Sequence, residues 1–200
     1  MQNPAPTDHP VHELIQQRFS PKAFLRRSVD PATLRSLLEA ARWAPSSFNE
    51  QPWAFIVATG DRPEDFERLL ACLAPGNQAW ACQAPVLLLS VAKLTFDRDG
   101  RINRHALHDI GLASAQLALE ATDHGLAAHF MAGFDGERAR QTYDIPEGFE
   151  PVAAVAVGYP DKPDAPPGET GEAGFAPRRR KPLKDFVFAR KWGCSAALAT

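Results

Sequence analysis

The sequence predicts one domain of mixed helix and strand, of the α/β or α+β class, with a central sheet covered by helices on both faces. Three observations carry that expectation. Two short runs, Val86 to Ala92 (VLLLSVA) and Val152 to Val157, are apolar on both sides, as interior strands must be. Runs of that kind alternate along the chain with amphipathic helical patterns, which stack in layers around a sheet. The chain has 200 residues, 44% of them hydrophobic, enough to bury one core with little left for a second domain. The alternation leaves the strand order open.

Residues 1–11 are polar and proline-rich and are expected to form a mobile arm. The arm lacks the basic start and apolar stretch of a signal peptide, so cytoplasmic residence is expected. His12 to Arg18 can form a short helix. Asp30-Pro31 is a strong helix start, a capping side chain followed by proline at the first helical position. Leu34, Leu37, Leu38 and Ala41 follow at helical spacing, and Pro45 ends the run. Trp53 to Ala58 reads as a strand closed by Gly60-Asp61. Pro63 to Ala74 reads as a second amphipathic helix, with Pro75-Gly76 as its stop. His105 to His124 is the longest helical signal, capped by Gly125 and apolar almost all round, which predicts burial. Ala127 to Met131 is a short strand and Gly136 to Tyr143 a short helix. Residues 161–177 form a Pro/Gly-rich linker without hydrophobic period. Beyond it, 178–200 is a C-terminal extension whose Phe186, Val187, Phe188 and Trp192 need cover, and a second subunit is the natural source.

Global charge excludes some partners. A net charge of -2 offers nothing to attract nucleic acid or an anionic membrane. No apolar run reaches the roughly 18 residues of a membrane span. The three cysteines, Cys72, Cys82 and Cys194, form no CxxC pair and suit reduced thiols. The chain lacks GxGxxG, GxxxxGK[ST] and GxSxG. His105, His108 and Asp109 have helical ligand spacing, but no further ligand pair accompanies them, and no metal is expected.

Four constellations can carry chemistry. In Arg18-Phe19-Ser20-Pro21-Lys22-Ala23-Phe24, an extended chain puts Arg18, Ser20 and Lys22 on one side, a set that suits a phosphate. Its bland alternative is a solvated basic loop. Between a helix and a strand, Ala44-Pro45-Ser46-Ser47-Phe48-Asn49-Glu50-Gln51-Pro52-Trp53 packs hydroxyls and amides between two prolines, able to meet the polar edge of a flat heterocycle. A plain turn capped by its own Ser and Asn is the alternative there. Met131-Ala132-Gly133-Phe134 follows a strand, and glycine permits close backbone approach to a ligand, or simply a turn. Arg178-Arg179-Arg180-Lys181 is either a second source of cations or a solvated charge run.

Taken together, RFSPKAF, APSSFNEQPW, GNQAW, AGF and RRRKPL, in that order from about Arg18 to the tail, resemble the nitroreductase family of FMN-dependent oxidoreductases. The resemblance implies the α+β class: a three-layer α/β/α sandwich around a central mixed sheet, assembled as an intertwined homodimer. Each C-terminal segment would reach around the partner, and two FMN sites would be shared between subunits. By motif position, Arg18 and Ser20, with Phe19 between them, would meet the ribityl phosphate. Lys22 would lie near the N1/O2 edge or the ribityl chain. Pro45, Ser46, Ser47 and Asn49 would approach the isoalloxazine from the other subunit, and Asn77 would bond its pyrimidine ring. Ala132 and Gly133 would offer backbone N–H groups near N5 and O4, and Arg178 with Arg180 would complete the phosphate clamp.

Two departures stand out. Lys22 replaces the commoner arginine, keeping charge but losing bidentate geometry. Trp80 stands where some members carry a lysine beside the flavin, which implies a flavin harder to reduce. The activity implied is transfer of electrons from NADH or NADPH through FMN to small acceptors such as nitroaromatics or quinones, by a ping-pong route, with no side chain as acid or base. An FMN-holding module without turnover, or another reaction of reduced flavin such as dehalogenation or flavin fragmentation, would share the same residues.

Overall fold

Caps and prolines set where most helices begin in the computed structural model, which describes residues 4–161 and 178–199. Helix α1 (Glu13–Gln17) starts at His12, whose ring accepts from the Leu14 amide at 3.2 Å. The N-terminal arm, expected to be mobile, is tied to this helix where described: Ala5 N donates to Gln16 O at 2.8 Å, and the Gln16 amide to Thr7 Oγ1 at 3.1 Å. Helix α2 (Pro31–Arg42) is held by Asp30 Oδ2, which accepts from Ala32 N and Thr33 N at 3.1 and 3.3 Å. Strand β1 (Trp53–Thr59) follows, then α3 (Pro63–Leu70) and α4 (Pro75–Ala81). The sequence placed a stop at Pro75-Gly76. Instead Pro75 opens a further helix, because proline ends one helix or begins the next with equal ease. Strand β2 (Val86–Lys93), α5 (Ala106–Asp123), β3 (Ala127–Met131), α6 (Gly136–Thr142) and β4 (Phe149–Gly158) complete the core.

The sheet runs β1-β2-β4-β3, and every neighbouring pair is antiparallel. The mixed sheet expected from the resemblance is therefore corrected: among the described residues no strand pair is parallel. A helix between two strands need not reverse direction twice. Here α3 and α4 together carry the chain from β1 back to its antiparallel neighbour β2. Pro151, which has no N–H to give, sits beside a register shift opposite Ser90/Val91. The buried Ser90 hydroxyl donates to Ala153 O and accepts from Ala153 N, at 3.0 and 3.1 Å, and so satisfies the bulged backbone.

Side-chain alternation splits the core into two layers. Leu87, Leu89, Val91, Ala154 and Ala156 face Phe66, Leu69 and Ala81 of α3 and α4 and Ala139 of α6. Val86, Leu88, Val155 and Val157 face Leu37 and Ala41 of α2 and Ala113, Leu117 and Ala121 of α5. The three layers of an α/β/α sandwich are thus present. Helix α5 is apolar nearly all round, as predicted, but one strip is uncovered in the single chain: Leu107 is 54% exposed, and Gly111 and Ala115 lie open at successive turns beyond it. The chain leaves the sheet past β4 with Leu25 N bonded to Tyr159 O and Asp161 N to Ala23 O, at 2.9 and 3.0 Å. Most of the 161–177 linker lies outside the described residues.

Candidate functional site

The sheet edge at β3 gathers cations from both ends of the chain. Arg18 follows α1, and its guanidinium lies 3.4 Å from Ser20 Oγ, so the two share a side as alternation predicts. Buried Pro21 and Phe24 anchor the segment to the core, Phe19 is half-buried, and Lys22 is exposed. His129 of β3 stands against it with ring Nδ1 2.8 Å from Pro21 O, a contact that requires the Nδ1–H tautomer to donate. Burial, and then the Lys22 charge, lower the His129 pKa, so the neutral ring is favoured.

From the far end of the chain, Arg178 donates to Gln16 O and Arg18 O, both at 2.7 Å. It buttresses the segment through its backbone. Burial first, and then the charge of Arg180, lower the Arg18 pKa; burial, Arg18 and Arg180 do the same to Arg178. Three guanidiniums therefore stand close enough to repel one another, and a dianion placed among them would relieve the repulsion. A phosphate monoester fits that requirement in charge.

Next along the same edge, Asn77 in the first turn of α4 donates to Gly133 O at 2.9 Å, and Ala74 N donates to the same oxygen. A Cβ on Gly133 would stand 2.7 Å from Asn77 Nδ2, so glycine is needed for this approach. Ala132 and Gly133 are exposed there, their backbone open to a ligand. Trp80, one turn beyond Asn77, packs 4.6 Å from the His129 ring and 6.3 Å from Phe24. It belongs to the core on this face, with Nε1 buried and unpartnered among the described residues.

The serine- and asparagine-rich loop lies at the other edge, before β1. Ser46 Oγ accepts from Gln51 N at 3.0 Å, and the Gln51 amide donates to Asn49 O at 3.2 Å. Ser47 N donates to Asp109 Oδ2 at 3.0 Å. Phe48, Asn49 and Gln51 all take left-handed backbone, with φ of 55°, 57° and 50°. Each such non-glycine residue costs about 1–3 kcal/mol, least for asparagine, so tertiary contacts must hold the loop. Phe48 is 74% exposed, flanked by the Arg98 guanidinium 4.3 Å from its ring centre and by the edge of Phe96. The Glu50 carboxylate accepts from Asp97 N. Ser46 does cap its own loop, as the bland reading had it, whereas the Ser47 and Asn49 side chains make no hydrogen bond among the described residues. Asp109, 2% exposed in the first turn of α5, was weighed in the sequence only as a metal ligand. Its signal is an acid beside apolar Ile110 near the start of a helix that is apolar over most of its surface.

The structure thus brings Arg18, Ser20, Lys22, Asn77, Ala132, Gly133, Arg178 and Arg180 to one edge and leaves Pro45, Ser46, Ser47 and Asn49 at the other. With order β1-β2-β4-β3, three strand spacings separate the edges, about 14 Å at the usual spacing. Within one chain the two sets do not converge. A cavity of about 1080 Å³ lies elsewhere, lined among others by Arg26, Asp30, Arg35, Asp61 and Gln83, and includes no predicted site residue. The cation cluster, with its specific donors, carries more chemistry than that wide cleft of mixed charge.

The three-layer sandwich with a cation-lined edge marks an α+β protein whose β3 edge suits an anionic group. The chain belongs to the nitroreductase family, whose model matches residues 15–159. Among solved structures it resembles an oxidoreductase containing FMN, at 33% identity and TM-score 0.86, over 98% of this chain and all of that one. A nitroreductase family protein of Clostridium difficile shares 25% identity, with TM-score 0.68 over 89% of this chain and 96% of its own. The NADH dehydrogenase of Thermus thermophilus is 31% identical over 87% of this chain and 93% of its length. No helix among the described residues is long and apolar enough to cross a membrane.

Proposed function

We propose that this chain is an NAD(P)H-dependent FMN oxidoreductase that acts as a homodimer, with each flavin held between the β3 edge of one copy and the β1-edge loop of the other. The carrying observation is the convergence of Arg18, Arg178 and Arg180, from opposite ends of the chain, on one patch beside Ser20. Arg18, Arg180 and Ser20 hold the phosphate, and Arg178 fixes the backbone that carries them. Phe19 shields that segment, and Lys22 sets positive charge beside the ring. Asn77 shapes the turn at Ala132 and Gly133, whose backbone meets the ring. Pro45, Ser46, Ser47 and Asn49 come from the second copy. When bound, FMN takes hydride from NADH or NADPH and passes electrons on to a small acceptor, nitroaromatic or quinone, in two half-reactions at one slot.

Three features support a second copy. The two sets of site residues lie on opposite edges of the sheet, with β2 and β4 between them. The strip of Leu107, Gly111 and Ala115 on α5 permits close approach. Phe186, Trp192 and Leu198 of the extension are 57, 90 and 77% exposed and need cover. A cytoplasmic protein working on small molecules, without nucleic acid or membrane, fits this surface and the charge of -2.

The test is the visible spectrum of the purified protein. Oxidised-flavin maxima that bleach under nitrogen on addition of NADH or NADPH are expected, with a dimer in sedimentation. A colourless protein that ignores added FMN ends the reading. Flavin that binds but does not bleach points to a storage module, and altered flavin or dehalogenated product under oxygen to the other reduced-flavin reactions.

A further inference from the structure

We infer that Asp109 is the positioning residue of the flavin-facing loop, fixing Ser47 through Asn49 from the first turn of α5. The inference rests on the reading that this loop meets the flavin of a second copy. Its starting point is an imposed conformation. Phe48, Asn49 and Gln51 are left-handed within four residues, and no glycine relieves them. Such a loop holds its shape only where outside contacts over-determine it.

Asp109 supplies the contact from the core. Its side chain is almost wholly buried, and Oδ2 accepts from Ser47 N, immediately before the strained residues. Ser46 Oγ, accepting from Gln51 N, closes the loop on its other side. A buried carboxylate is costly to desolvate and remains only where partners meet it. Here the partners are the loop amide, His108 Nδ1 at 3.3 Å and the amide-rich start of α5, which favours an anion in its first turn. The bond ties the loop to the longest helix of the molecule. Ser47 Oγ and the Asn49 side chain, without a hydrogen bond among the described residues, are thereby set in place before any ligand arrives, which is preorganisation in the ordinary sense. Released from Asp109, the loop relaxes toward common backbone geometry and its polar groups move.

Three variants and one measurement on the unaltered protein test this. Asp109→Asn keeps an oxygen that accepts from Ser47 N, and FMN affinity of the apoprotein stays within about threefold of wild type. Asp109→Leu is close in size and spares the cost of a buried charge, so it folds, yet it gives the amide no acceptor. Its FMN dissociation constant rises about tenfold, and the visible circular dichroism of bound flavin changes, while the melting temperature of the apoprotein is held or raised. A merely structural Asp109 predicts instead that binding and melting fall together and that Asn fares no better than Leu; either result overturns the inference. Hydrogen exchange on wild-type protein needs no variant: the Ser47 amide is protected at least about tenfold more than that of Phe48. Equal exchange at the two overturns the clamp even if Asp109→Leu fails to fold. Asn49→Ala separates this inference from the reading beneath it. If Asn49→Ala changes flavin affinity and dichroism but Asp109→Leu does not, the positioning role alone fails. If Asn49→Ala changes neither, the loop does not meet the flavin and both fall.

Discussion

The two sheet edges solve one problem by opposite physical means. At β3 the working groups are long cations on ordinary backbone, recruited from residues as far apart as Arg18 and Arg178 and held against mutual repulsion. At β1 they are short hydroxyls and amides on strained backbone, contiguous in sequence and fixed through one buried carboxylate. A guanidinium reaches its target through a flexible stem, so a phosphate site tolerates distant and loosely placed suppliers. A hydroxyl or amide reaches only as far as its backbone stands, so a ring site demands precise loop geometry. The difference predicts that damage to the β3 cations is electrostatic and concerns the phosphate, whereas damage to groups that face the ring, at either edge, is geometric.

The largest effect expected is at the phosphate. Arg18→Ala removes a charge-assisted bond worth about 1.5–3 kcal/mol, so FMN affinity falls roughly 10- to 100-fold. Riboflavin, which lacks the phosphate, binds within about twofold of wild type. Fluorescence titration of the apoprotein with both ligands checks this, and equal losses for the two would erase the distinction between the edges. Added salt weakens FMN binding and leaves riboflavin unmoved, because it screens the same cations.

A smaller effect is expected at Gly133→Ala, and of the other kind. The new Cβ meets Asn77 Nδ2 at 2.7 Å, the far end of a side chain that can turn aside. Stability falls by no more than about 1 kcal/mol, since one hydrogen bond is lost and no backbone need move. FMN and riboflavin affinities fall together, about tenfold, because both present the same ring. A loss confined to FMN would place Gly133 with the phosphate instead.

What could be read from the sequence divides along the same line. Arg18 and Ser20 were legible because strand alternation is a property of any extended chain, and the side they share follows from it. The interior strands were legible because a fully buried run has no polar face. Helix α4 was not, because proline punctuates without saying whether it closes or opens. The antiparallel sheet was not, because the resemblance carried a direction that local pattern does not encode. Left-handed backbone at Phe48 and Gln51 was invisible, since neither residue prefers it and tertiary contacts impose it. The role of Asp109 was not legible: considered only within a metal-ligand set that was set aside, it has a partner that lies 62 residues away.

The smallest effect expected concerns how the cationic edge is held, and it turns on pH. His129 donates to Pro21 O and so pins the Arg18–Lys22 segment to β3. Burial first, then Lys22, lower its pKa below 6.5, while the bonds to Pro21 and Ser20 backbone oppose the shift. The unfolded chain therefore takes up this proton before the folded one does. As pH falls through about 6.5 the unfolded state gains protons first, so His129 makes stability decline with falling pH. Once the folded pKa is passed, both states are protonated and the slope vanishes. His129→Gln keeps a neutral donor for Pro21 O and removes the titration. Its melting temperature should decline less than that of wild type between pH 7.5 and the acid limit, with FMN affinity near wild type at pH 7.5. His129→Phe, which keeps the packing against Trp80 but gives Pro21 no donor, should weaken FMN several-fold and spare riboflavin. Were it to weaken both alike, the ring of His129 would serve the core beneath the flavin rather than the segment that grips the phosphate.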